Sequence, residues 1–364
     1  MFVVMQVIFL KGDEWSSKYD EGLRYYSEEA LRKTAIGANA TTLLGIPIEF
    51  RHVSWSIGGY GTFQNVITLA NILRLFNPDL VGPARSRTVH GTPAPFSDTG
   101  LNLAVTGHNT FNLPGQTRHL IDTLKALEDI NFDEDWKLLT VLIGMNDICD
   151  YCKDKSRFSV ENFLHYMSTS LEMLMNEVPR MIVNVVQILP MEPLREVQKP
   201  TPGCLLQRSF CSCLVKPASD SPDLKELIEI NLQFQRALEQ LLHTDRFFKS
   251  DFAVVLQPFL KHADPPRLPN GKIDMSFFTL DCFHFTIKGH EELAKGLWNN
   301  MFQPEEEKFL VDSFSTPIQL MCPPVEHPYI YTKPSAVRSD SFIWAGPSLL
   351  TLLFFFALKS FLSF

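Results

Sequence analysis

Asp281-Cys282-Phe283-His284 places a carboxylate three residues before an imidazole. In one turn, that spacing lets the carboxylate accept the Nδ1–H. This fixes the tautomer and stabilises the imidazolium formed when Nε2 takes a proton. The chemistry is that of a general base with its orienting partner, although Asp-x-x-His alone is also the pattern of many solvated turns. His290 is a rival base, but Gly289-His290-Glu291-Glu292 reads as an exposed helix start. Gly107 and Asn146 offer neutral donors, one a backbone N–H and the other a side-chain amide. Aimed at one point they would form an oxyanion hole, worth roughly 3 to 4 kcal/mol per donor in acyl transfer. Read structurally instead, Gly107 is a tight turn needing positive φ and Asn146 a cap or turn residue.

Such residues need a frame. The run Leu138-Leu139-Thr140-Val141-Leu142-Ile143 into Gly144-Met145-Asn146-Asp147 reads as a strand buried on both faces of a parallel sheet. It ends at the carboxyl edge, where open α/β sheets bind ligands. Before it, His52 to Ile57 and Leu101 to Thr106 read as strands, with Gly107 as the turn after the second. Val66, Leu69, Leu73 and Phe76 recur at helical spacing until Pro78, and a further helix is expected over about 116–127. After it come a helix marked by Leu164, Met167, Leu171, Leu174 and Val178, and a strand from Met181 to Leu189. Ser221-Pro222-Asp223 opens a helix with a capping hydroxyl, Pro at the first position and an acid in the first turn. Phe252 to Gln257 is the last strong strand, and Gly289 to Asn299 a closing helix. The alternation predicts an α/β fold, a three-layer α/β/α doubly wound parallel sheet.

A chain of 364 residues has room for a large core, and its formal net charge of -8 argues against nucleic acid as a partner. The cysteines at 149, 152, 204, 211, 213, 282 and 322 suit either zinc or disulfides. The spacing of the middle group is wrong for a metal knuckle, so disulfides in an oxidising compartment are expected, with at least one thiol left over. Asn39-Ala40-Thr41 is a glycosylation sequon and fits the same compartment. Met1 to Leu10 is a poor signal peptide, without a basic start or a cleavage site. Phe342 to Leu358 is uncharged and apolar, about 25 Å of helix against a hydrocarbon core of about 30 Å. It reads first as a tail anchor, second as a lipid-anchor signal with Ser335-Ala336 in the cleavage region, and third as a buried helix. The organisation expected is an atypical segment over 1–34, the α/β domain over 35–310, a linker over 311–341 and a membrane-anchoring tail over 342–364.

Asn102 to Gly107, Gly144 to Asp147 and Asp281 to His284, in that order, resemble the second, third and fifth blocks of the GDSL or SGNH hydrolases. Further likenesses lie in Trp55-Ser56-Ile57-Gly58-Gly59, Phe76-Asn77-Pro78, Asp135 to Leu138, Asp147 to Cys152, Asp251 to Val255 and Leu297 to Met301. These are similar to the membrane-associated phospholipase B branch of that family, over about residues 35 to 335. The resemblance implies an ester hydrolase of phospholipids, lysophospholipids and related lipid esters that needs no metal or other cofactor. It makes His284 the base, Asp281 its partner, and Gly107 and Asn146 the oxyanion donors. It also places the domain on the extracellular or lumenal side of a membrane, at the apical cell surface.

One block departs from the pattern. The family's nucleophile lies in a Gly-Asp-Ser-Leu turn after the first strand, shortly before the segment that here reads Thr34 to Asn39. Ala30-Leu31 instead leads straight into Arg32-Lys33-Thr34, so no nucleophile is found, and the first strand is expected to be missing with it. Val7 to Leu10 followed by Gly12-Asp13-Glu14 mimics the block, but Glu14 stands in the nucleophile's place and about twenty residues too early. Ser54 and Ser56 read as structural, and Thr34 lacks the turn. A strand edge left unpaired and a chain with little or no hydrolytic activity are the expected consequences.

Overall fold

The computed structural model describes residues 4–10 and 48–332, with single positions at 40, 42 and 45; within 4–10 it gives the backbone and the side chain of Ile8. The Asn39 sequon, Thr34 and the tail over 342–364 lie outside the described residues. Among the described residues, no helix is long and apolar enough to cross a membrane.

The strands are β1 (Val4–Leu10), β2 (Ile48–Glu49), β3 (Thr88–Val89), β4 (Trp136–Leu142), β5 (Met181–Val186), β6 (Phe248–Lys249) and β7 (Phe252–Gln257). The apolar runs of β4, β5 and β7 pair in parallel, with Leu139 opposite Val183 and Val183 opposite Val254. Nearly all their side chains are buried, as a sheet covered on both faces requires. The five-stranded order is β1-β4-β5-β7-β6, and β1 and β6 run antiparallel to their neighbours, so the sheet is mixed rather than wholly parallel.

The helices are α1 (Leu69–Leu73), α2 (Phe96–Thr99), α3 (Leu113–Ala126), α4 (Met145–Asp150), α5 (Val160–Glu177), α6 (Pro202–Phe210), α7 (Ser212–Val215), α8 (Pro222–Leu242) and α9 (Ile287–Met301). α5 packs on α3 and α8, α9 packs on α1, and both α8 and α9 reach β7. These two groups complete the three layers of an α/β fold. Phe163 of α5 stacks on Phe234 of α8 at 4.4 Å, and Trp298 of α9 stacks on Phe76 at 5.9 Å. Ser221 caps α8 as its sequence indicates, its hydroxyl accepting the Leu224 N–H at 3.3 Å.

Four expectations are corrected. The strand edge expected to be open is covered: Val4–Leu10 pairs along β4, Val4 opposite Leu142 and Leu10 opposite Trp136. Its hand is reversed, however, so its last residue lies at the amino end of β4, away from Gly144. His52 to Ile57 is not a strand but a 3₁₀ helix over Arg51–Val53 and a turn, because the Gly58 N–H returns to the Ser54 carbonyl at 2.7 Å. Leu101 to Thr106 also forms no strand. Residues 311–332, expected as linker, belong to the same compact unit as the sheet. Trp298 Nε1 donates to the Met321 carbonyl at 2.8 Å, and the Tyr331 N–H to that of Met301 at 2.8 Å.

The cysteines form disulfides Cys149–Cys211, Cys152–Cys213 and Cys204–Cys282, and Cys322 is free and exposed. Six of the seven are thus unavailable as thiolate ligands.

Candidate active site

His284 and Asp281 stand on the loop between β7 and α9. Nδ1 of His284 lies 2.5 Å from Asp281 Oδ2. The other carboxylate oxygen accepts the Thr279 hydroxyl at 2.5 Å and the N–H groups of Phe283 and His284 at 3.0 Å each. Burial by itself would raise the Asp281 carboxyl. The His284 charge and the bonds from His284 and Thr279 outweigh it and hold Asp281 well below the usual carboxylate range. The imidazole is 36% exposed against 7% for the carboxylate, so the ring faces outward and the carboxylate inward. Cys282, between them, adopts φ +58° and is tied to Cys204 on α6.

Asn146 sits in the first turn of α4, directly beyond β4. The sharp exit depends on Gly144, with φ +117°; a Cβ there would lie 2.6 Å from Ile188 Cδ1. One amide N–H of Asn146 donates to the His108 carbonyl at 2.6 Å, which brings α4 against the turn of Gly107. The second amide N–H has no partner among the described residues. Gly107 is exposed at φ +84°, with no atom within 4 Å of where a Cβ would be. The structure thus joins the four residues in two pairs, Asp281 with His284 and Asn146 with the Gly107 turn. Both pairs lie beside the carboxyl ends of the parallel strands, the first in a loop and the second where the first turn of α4 meets a turn.

The turn is held from both sides by residues that local sequence reading does not single out. Thr106 donates to Glu49 Oε1 at 2.7 Å, Arg51 donates to Glu49 Oε2 at 2.6 Å, and Arg51 also reaches the Asn102 carbonyl at 2.7 Å. Burial pushes the Glu49 carboxyl up, but the bonds from Thr106, Arg51 and Thr88 and the Arg51 charge bring it down to about 2. On the other side the buried Asp147 accepts the N–H and hydroxyl of Thr110, and Asn109 donates to Asp150 at 3.2 Å.

His290 is no exposed rival. Its Nδ1 is shielded from solvent, and burial, with the His284 charge, pushes its pKa down to about 4. Glu291 beside it accepts the Ile67 N–H at 3.2 Å and is raised by burial to about 7. Ser56 is 1% exposed and out of a substrate's reach.

Burial raises Asp147 to about 7 in spite of its bonds from Thr110. An unfolded Asp titrates at about 3.9. Between these values the folded chain keeps a proton that the unfolded chain has lost, so this group makes stability fall as pH rises from about 4 to about 7. Asp147→Asn keeps an acceptor oxygen and removes the titration. Its stability relative to the unaltered chain is therefore expected to improve across that window, as read by urea unfolding on either side of it. A difference that stays constant with pH would show that Asp147 is ionised throughout.

A mixed α/β sheet with an imidazole–carboxylate pair on a loop beyond its last parallel strand is the frame of an SGNH-type hydrolase. The model of the GDSL-like lipase/acylhydrolase family matches residues 54–297, and the chain belongs to that family. It is similar to "Phospholipase B1, membrane-associated" of Homo sapiens, 39% identical over 306 residues, which is 83% of this chain and 21% of that protein. The Mus musculus and Rattus norvegicus proteins of the same name are 39% and 38% identical, over 81% of this chain and 20% of each. The chain spans about a fifth of the length of these curated relatives.

Proposed function

We propose that the chain carries the base and oxyanion halves of a phospholipase B-like site for phospholipids, lysophospholipids and related lipid esters. The observation that supports this most is the short Asp281–His284 contact with the carboxylate buried and the imidazole facing out. His284 would take the proton of a nucleophile and return it to the leaving alcohol, with Asp281 holding the tautomer and balancing the charge. Gly107 and the second Asn146 N–H would meet the oxyanion. The domain would work on the extracellular or lumenal side of a membrane, held there by the apolar tail.

The same reading makes the chain as written nearly inactive, because no Ser stands in a nucleophile turn before Gly37. A second reading, a lipid- or partner-binding relative without catalysis, draws support from the reversed β1 beside β4. Grafting a strand parallel to β4, followed by Gly-Asp-Ser-Leu ahead of Thr34, separates the two. Fatty acid released from lysophosphatidylcholine by the graft, and lost again with His284→Ala, supports the hydrolase site. A folded graft without release favours the binding relative.

A further inference from the structure

The network around the Gly107 turn continues outward into a face that the fold leaves open. From Arg85 to Val89 exposure alternates: Arg85, Arg87 and Val89 are exposed, Ser86 is half-buried and Thr88 buried. Thr88 and Val89 form β3, with Val89 on its open side, and the exposed Arg85 and Arg87 flank the bend at Ser86 just before it. Thr88, on the other side, donates to Glu49 at 3.0 Å, the carboxylate that also holds Thr106 next to Gly107. The face therefore lies beside the candidate oxyanion turn.

Its charge is unbalanced. Arg118, Arg180, Arg236, Arg246 and Arg267 each have a carboxylate partner, whereas Arg85 and Arg87, like Arg157 and Arg208, have none among the described residues. Glu49 is matched by Arg51, which leaves Asp98 of α2 as the neighbouring acid; its carbonyl accepts the N–H groups of Arg85 and Ser86. Three large apolar side chains share the region: Val89 at 53% exposure, Tyr60 at 47% and Phe96 at 43%. Tyr60 meets the ring of His52 edge-on at 5.3 Å, and Phe96 opens α2. A chain with formal net charge -8 thus carries a cationic, partly apolar surface at this rim.

We propose that this face seats the site on an anionic phospholipid surface. Arg85 and Arg87 bind headgroup phosphates, which a planar guanidinium can engage through two N–H groups at once. Tyr60, Val89 and Phe96 settle at the level of the headgroups and upper acyl chains, where amphipathic and aromatic side chains are favoured. The docking deepens the proposed function by naming the lipid class that meets the same site, and it makes no use of a nucleophile.

Partitioning of the full chain between water and sedimentable vesicles tests it. One set of vesicles is phosphatidylcholine alone, and the other phosphatidylcholine with phosphatidylserine. Insertion of the apolar tail contributes to both, so the ratio of the two partition coefficients is the quantity read. Each cation near an anionic leaflet contributes about five-fold, so Arg85→Gln with Arg87→Gln is expected to lower the ratio by up to about 30-fold. Arg236→Gln, which removes a guanidinium already paired with Glu229, is expected to leave the ratio unchanged. Raising the salt concentration should remove the preference in the unaltered chain, an arm that needs no variant. Equal partitioning of the unaltered chain into both vesicles overturns the proposal, as does a preference that survives in the double variant. Because esterase chemistry is not measured, failure of the hydrolase reading leaves this result legible.

Discussion

A fluorophosphonate probe is expected to leave the purified chain unlabelled. The probe needs an activated hydroxyl, and removing the nucleophile from a catalytic triad costs about 10⁶-fold in kcat. Neither Ser54 nor Ser56 repairs this. Ser56 is buried, and its neighbour Ser54 belongs to the turn that the Gly58 N–H closes. Labelling is expected to appear when a parallel strand and Gly-Asp-Ser-Leu turn replace β1, and to disappear again with His284→Ala. Labelling of the unaltered chain that His284→Ala abolishes would reveal a nucleophile and overturn the inactive reading.

Replacing Cys204 and Cys282 together by Ser is expected to lower stability by about 4.5 kcal/mol on the chain-entropy account, for a sequence separation of 78 residues. No other cross-link duplicates this one, because the remaining two join residues 149 and 152 to 211 and 213. These nearly coincide, with separations of 62 and 61 residues. Losing either alone leaves the other closing almost the same loop, so a smaller loss of about 2 kcal/mol is expected. Urea unfolding without reductant distinguishes the cases. Equal losses for all three pairs would show that loop closure is not what these bonds contribute. Since Cys282 stands between Asp281 and His284, the Cys204 link also bears on the site. The Gln198 amide, donating to the Cys282 carbonyl at 3.3 Å, is a weaker second tie.

What was legible follows from range. β4, β5 and β7 are short apolar runs whose neighbours in space also need burial, so composition and length alone mark them. The cap at Ser221 and the Asp281–His284 pair each act across three residues, within the reach of one turn. By contrast, Thr106 finds Glu49 across 57 positions, and Thr110 finds Asp147 across 37. No spacing rule connects such partners. His290 reads as solvated because its neighbours are Gly and Glu, yet α9 packs on α1 and the His290 Nδ1 is shielded from solvent. The alternation from His52 to Ile57 suggested a strand, but a strand needs a partner, and the backbone closed on itself instead.

The residues of the chain by themselves determined the α/β class, the membership in the lipase lineage, the Asp281–His284 pair and the lack of a Gly-Asp-Ser-Leu block. All of these depend on side-chain types and short spacings that no packing can change. Only the tertiary structure decided that Val4–Leu10 lies antiparallel beside β4, and that Glu49 and Asp147 hold the Gly107 turn from two sides. It also decided which cysteines meet. Those outcomes depend on which distant groups are brought within hydrogen-bonding or bonding distance, and burial, which drives that collapse, carries no direction of its own.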